Sequence, residues 1–125
     1  MTQVKDKTDQ QLNRALAELM GWTDFKEDGH GGMWATAPDF RWTNKMPDYC
    51  TDPAASLEVQ AKAIEVDSVG YVRNLEIAKW EKIMAPLARK EVSVLLTASP
   101  RERAEAAYIT LSISKEDLNG TVGYR

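Results

Sequence analysis

The chain has 125 residues, 43% hydrophobic and 28% charged, a composition that suits one globular domain with a core of its own rather than a disordered segment. Its net charge of -3 provides no basic face broad enough for duplex nucleic acid, whose binding depends on Lys and Arg neutralising phosphates. Cys50 is the single cysteine, which excludes an internal disulfide and any cysteine-based zinc site, and no window approaches the roughly 18 apolar residues that span a bilayer.

The N-terminal MTQVKDKTDQQ has no apolar run of the secretory type, so a soluble protein of a reducing cytoplasm is expected. Thr8-Asp9-Gln10-Gln11 has the form of a capping box, and Leu12, Ala15, Leu16, Leu19 and Met20 follow at helical spacing, predicting a first helix that ends near Gly21. From Trp22 to Tyr49, aromatics alternate with Gly, Asp and Pro. "GGMWATAP" and "DFRW" are short enough to be two strands of a hairpin or meander. Asp28-Gly29-His30-Gly31-Gly32 reads as a solvent-facing turn tolerant of positive φ, not as a phosphate loop, since no Lys-Ser/Thr follows.

Asp52 is placed to N-cap a second helix with Pro53 at its first position, running through Leu57, Ala61 and Ile64. Asp67, Ser68 and Gly70 break that pattern. A third helix follows, with Ile77, Trp80, Met84 and Leu87 on one face and an end near Pro86. The β-branched "EVSVLLTAS" predicts a further strand, with Val92, Val94 and Leu96 on one side. Ser99-Pro100-Arg101-Glu102 then combines an N-cap serine, proline at the first position and glutamate at the third, opening a last helix striped by Ala104, Ala107, Tyr108 and Leu111. The expected organisation is one domain over residues 1–125, ordered from about residue 8 to about 113, with a turn or extended tail over 114–125.

Helix, strands, two helices, strand, helix is not a βαβ winding; it predicts an α+β fold with a small, mainly antiparallel sheet layered between helices, an α-β-α sandwich. The elements "LMGW" at Leu19–Trp22, "PDYCTD" at Pro47–Asp52 and "TASPRERAEAAYITL" at Thr97–Leu111 resemble small phage proteins of the phage ABA-sandwich type. The resemblance runs from about Leu12 to Leu111, with Asp67–Lys90 departing most. It implies a layered α-β-α fold and a phage or prophage origin, hence a host bacterial cytoplasm, and no established reaction.

PDYCTD groups a thiol, a phenol and two carboxylates, but a nucleophilic Cys50 requires a base, and the one histidine, His30, sits in the glycine-rich turn. Asp48 and Asp52, two carboxylates without a histidine partner or a calcium-loop pattern, are a weak metal signal, and a helix cap accounts for Asp52. No catalytic residue, metal or cofactor is therefore assigned. The aromatic-rich segment Trp22–Tyr49 reads first as the sheet side of the core. Its functional alternative is a ligand site in which Trp34, Trp42 and Tyr49 offer stacking surfaces, with Arg41, Arg101 or Arg103 gripping a phosphate and the free N-H groups at the last helix start favouring anions.

Three functions follow as expectations. The first is a nonenzymatic phage counter-defence protein that sequesters a small anionic or nucleotide-type host signal. A phage inhibitor that contacts a host protein, through an acidic second-helix face with Glu58, Glu65 and Asp67, is the second. The third is a small enzyme without a recognisable motif. A symmetric homo-oligomer is expected, joined through the Trp80, Met84 and Leu87 face.

Overall fold

The computed structural model of the protein describes residues 4–84 and 86–120. A short 3-10 helix, Val4–Asp6, leads into α1 (Asp9–Leu19). Three strands follow, β1 (Thr23–Glu27), β2 (Met33–Thr36) and β3 (Trp42–Thr43), and then α2 (Pro53–Trp80), α3 (Arg89–Leu95) and α4 (Pro100–Gly120). The fold is of the mixed α+β class. Its most extensive contact is between α2 and α4, and α1 packs on α4.

Local chemistry explains both ends of α1. The Thr8 hydroxyl accepts the Gln11 N-H at 3.1 Å and the Gln11 side chain accepts the Thr8 N-H at 2.9 Å, a reciprocal capping box. At the other end Gly21 takes φ +100°, the Trp22 N-H reaches the Ala17 carbonyl at 2.9 Å, and the Gly21 N-H reaches Glu18 at 3.1 Å. This is a Schellman stop, which requires a left-handed residue that only glycine adopts without strain. The same turn drives Trp22 into the core beside Leu12, Leu16 and Ala17.

The sheet is antiparallel in the order β1-β2-β3. β1 is a strand that the aromatic pattern did not mark, because TDFKE is polar and carries a bulge between Thr23 and Lys26 with Asp24 at φ 57°. Phe25 and the buried Ala35 face inward, and the Arg14 guanidinium of α1 lies 4.7 Å from the centre of the Phe25 ring. The Asp28–Gly32 segment is the β1–β2 turn, as expected, with Gly29 and Gly31 at positive φ and the Asp28 carboxylate accepting the N-H groups of His30 and Gly32.

The second half of the chain departs from expectation in four places. α2 spans both expected helices in one element, though Asp67 breaks it with φ -158° and ψ 88°; its carboxylate accepts the Gly70 N-H at 3.0 Å and so caps the second segment. That segment ends at Trp80, not near Pro86. Glu81 turns left-handed, and the Met84 N-H is captured by the buried Glu76 carboxylate at 2.6 Å, which removes Met84 and Leu87 from any continuous helical face with Trp80.

EVSVLLTAS forms no strand; Arg89–Leu95 is helical. The Glu91 side chain accepts the Ala88 N-H at 2.9 Å, opening the helix, and Ser93 and Thr97 hydroxyls donate to the carbonyls of Lys90 and Val94. β-Branched side chains favour a half-buried pleated surface, and without a neighbouring strand to supply one, helical hydrogen bonding satisfies the backbone instead. Nor is Ser114–Gly120 a turn or extended tail, since α4 continues through it; residues 121–125 lie outside the described residues.

Small residues set the α2–α4 seam. Ala55, Ser56, Val59 and Ala63 of α2 are buried, as are Ala104, Ala106, Ala107 and Leu111 of α4, so the two backbones approach closely. The Leu57, Ala61 and Ile64 positions that mark the helical pattern lie on the exposed side instead. Leu16→Ala should cost about 2–5 kcal/mol by leaving a cavity among α1, the sheet and α4. Gly21→Ala should cost about 1–2 kcal/mol through backbone strain alone. Urea unfolding of both variants checks the ranking, and a Gly21→Ala protein as stable as the parent would remove the Schellman assignment.

Candidate functional site

Strand register sorts the aromatic segment into two groups. Lys26 is paired with Trp34, and Thr36 with Trp42, so Lys26, Trp34, Thr36 and Trp42 share the sheet face opposite Ala35. The rings of Trp34 and Trp42 stack across β2 and β3 with centroids 5.8 Å apart and planes 20° from parallel. Trp34 is half-buried and Trp42 is 49% exposed. The outer face of the sheet is thus an open aromatic platform. Trp22 and Tyr49 belong instead to the core, and Phe25 packs against it.

Arg41 cannot be placed by strand alternation, because β3 begins only at Trp42. Phe40 and Arg41 lie in the β2–β3 turn, closed by the Phe40 N-H to Ala37 and the Ala37 N-H to the Arg41 carbonyl, both 2.8 Å. Phe40 is held at φ 71° and is 87% exposed. A left-handed conformation and an exposed ring are each unfavourable for phenylalanine, so the turn presents a strained aromatic beside Trp42. The Arg41 guanidinium is exposed and paired with Asp39 at 2.8 Å, and this hydrogen bond holds the Asp39 carboxyl below the usual carboxylate range. Lys26 has no ion-pair partner among the described residues. Sequence reasoning missed Lys26 and Phe40: the first joins the platform only through cross-strand register, the second only through its turn conformation.

The remaining residues considered from sequence lie apart from that platform. Arg101 uses all five guanidinium N-H groups inside the protein. Nε donates to Glu105 at 2.8 Å, one terminal nitrogen to Asp9 at 2.8 Å and to the Cys50 sulfur at 3.9 Å, and the other to the carbonyls of Lys7 at 2.7 Å and Val4 at 3.2 Å. Arg103 donates to the buried Ser56 hydroxyl of α2 at 3.0 Å. The Arg101 guanidinium is therefore committed to helix packing, Arg103 is tied to α2 through one hydrogen bond, and neither joins Trp42. Tyr49 is 2% exposed and offers no stacking face.

PDYCTD is a helix entrance bolted to α1. Asn13 donates to Asp48 at 2.9 Å and accepts the Cys50 N-H at 3.0 Å, Thr51 donates to Asp48 through its hydroxyl, and Asp52 caps α2 by accepting the Ala54 N-H at 3.1 Å. The Thr51 hydrogen bond lowers the Asp48 pKa against the opposing effect of burial. Burial pushes the Cys50 thiol up to about 11, although the Arg101 charge opposes it, so this cysteine is a neutral thiol in the core rather than a thiolate. Among the described residues no group of three or more His, Cys, Asp or Glu side chains is arranged to hold a metal ion. Also among the described residues, no helix is long and apolar enough to cross a membrane.

Two predictions follow from this interior. Burial, reinforced by the Glu58 charge, raises the Tyr49 hydroxyl from 10.0 to about 12, as burial raises Cys50 from 9.0 to about 11. Both groups hold their protons more tightly in the folded chain, so the Cys50 contribution is complete below pH 9.0 and lost as pH climbs through about 11, and the Tyr49 contribution is complete below pH 10.0 and lost as pH climbs through about 12. The urea midpoint should fall over that alkaline window, and Cys50→Ala should reduce the fall; an unchanged profile in the variant would exclude the thiol as a cause. Arg101→Ala should destabilise by about 3 kcal/mol, because Glu105 is left buried without its strongest partner. Arg101→Lys should recover little of this, since an ammonium cannot reach acceptors on so many sides.

Comparison with known proteins finds no family model that matches the chain and no curated protein or solved structure that does so.

Proposed function

We propose that the protein is a nonenzymatic phage accessory protein that captures a small nucleotide-type host signal on the outer face of its sheet. The single observation that carries this reading is the exposed Trp34–Trp42 stack. Isolated exposed apolar residues are ordinary, but two stacked tryptophans on an uncovered sheet face form a contiguous surface suited to stacking a planar ligand. The two rings already cover one another, so a base stacks on the open side of Trp42 rather than between them.

Lys26, on the same face, supplies a charge for phosphate without first breaking an ion pair. Arg41 is a second cation whose partner Asp39 must be displaced or shared. The phage origin and the host-cytoplasmic setting form part of the same proposal, and the LMGW, PDYCTD and TASPRERAEAAYITL elements support them. The counter-defence role extends this reading, since a site without a paired nucleophile and base suits capture better than turnover.

Isothermal titration against a panel of mononucleotides and dinucleotides tests the proposal. A nucleotide should bind, with Trp42→Ala weakening it by about 1–3 kcal/mol, roughly five- to 150-fold, while the melting temperature changes little. Lys26→Ala should weaken binding mainly at low salt, because it removes a charge attraction. Absence of binding across the panel, or a large loss of thermal stability in Trp42→Ala, would overturn the sheet-face reading.

A further inference from the structure

The first segment of α2 is apolar on two sides, and the protein uses only one of them. Ala55, Ser56, Val59 and Ala63 are buried against the rest of the chain. Ala54, Leu57, Ala61 and Ile64 point outward, with Leu57 46% and Ile64 43% exposed. A surface helix normally confines its apolar residues to the core side, whereas one that is apolar all round is buried all round. The outer residues recur at offsets of three, four and three, the spacing of the a and d positions of a coiled-coil seam. At the break next to them Val66 and Val69 are exposed as well.

The residues beside this seam determine what can cover it. With Ala54 and Ala61 as a, the flanking e positions are Glu58 and Glu65 and the flanking g positions are Gln60 and Asp67. None of the four is a cation. Lys62 lies outside the flanks and is paired with Glu65 at 3.4 Å, and Gln60 accepts the Tyr71 hydroxyl at 2.9 Å. Flanking charges select coiled-coil partners, and a second copy of this chain would bring acidic flanks against acidic or neutral ones in either orientation. The geometry points to an amphipathic helix of a partner protein with Lys or Arg at its flanking positions, docked on the Leu57–Ala61–Ile64 seam along the edge that carries Glu58 and Glu65. This surface is on a different element from the Trp34–Trp42 platform and stands or falls separately from it.

Three labelled three-heptad peptides provide the test: one with Leu at a and d and Lys at e and g, its twin with Glu at e and g, and a scrambled version of the Lys peptide. Fluorescence anisotropy at about 0.15 M salt, where long-range attraction is screened, should show the Lys peptide binding at least tenfold more tightly than the Glu twin or a scrambled peptide of equal charge. Leu57→Ser with Ile64→Ser should abolish that binding while circular dichroism and the melting temperature stay near parental values, since both side chains are half exposed. Glu58→Lys with Glu65→Lys should reverse the preference in favour of the Glu twin. A Lys peptide that binds no more tightly than its Glu twin or its scrambled counterpart, no binding, or a reversal variant that keeps the original preference would each overturn the proposal. A dimer in sedimentation that Leu57→Ser with Ile64→Ser dissolves would assign the seam to a second copy and overturn it equally.

Discussion

The guanidinium of Arg101 is the interaction on which the arrangement of the helices depends. From the first turn of α4 it reaches the first residue of the 3-10 helix and the residue just after it, the first residue of α1, the thiol before α2 and a buried carboxylate one turn along its own helix. Apart from the long contact to the Cys50 sulfur, each alone is an ordinary charge-assisted hydrogen bond, worth about 1.5–3 kcal/mol. Their joint effect is geometric: a rigid planar fork with every donor used permits one relative placement of the segments around it. Glu105, which also receives Lys5 at 3.4 Å, can be buried only because this fork is there.

With the helices held in that way, the sheet is left as a flap on one side of α1. Its inner face is closed by Phe25 and Ala35, and an arginine of α1 covers the Phe25 ring. Three short strands are too small to recruit a second layer from the described elements on the other face, so Trp34 and Trp42 cover each other instead. The strained Phe40 turn delivers the chain into β3 at the register that makes this stack. Exposure here is therefore a consequence of topology, whereas the PDYCTD segment has its full set of partners within the chain.

α2 shows the same economy in another form. Alanine and serine on its inner side allow close approach to the alanine-rich face of α4, and the larger Leu57 and Ile64 are placed outward as a result. Asp67 then resets the helix so that Tyr71 and Leu75 return to the core beyond the break. Volume, rather than hydrophobicity alone, decides which stripe is internal.

The sequence by itself determined the features whose physics is local. The Thr8 box, the Gly21 stop, the Asp52-Pro53 and Ser99-Pro100 helix starts, the glycine turn around His30 and the break at Asp67 each depend on hydrogen bonds or dihedrals within a few residues, and all are legible as spacing. What only the tertiary structure decided was partnership. The EVSVLLTAS segment had strand propensity but no strand to pair with. Arg101 and Arg103 looked like anion ligands until α1 and α2 supplied their acceptors, and Lys26 came beside Trp34 only through a register that passes a bulge. The α+β class was readable because it follows from periodicity. Which aromatics face outward was not, because a shift of one residue in strand pairing exchanges the two faces of a sheet, and nothing local in the chain specifies that shift.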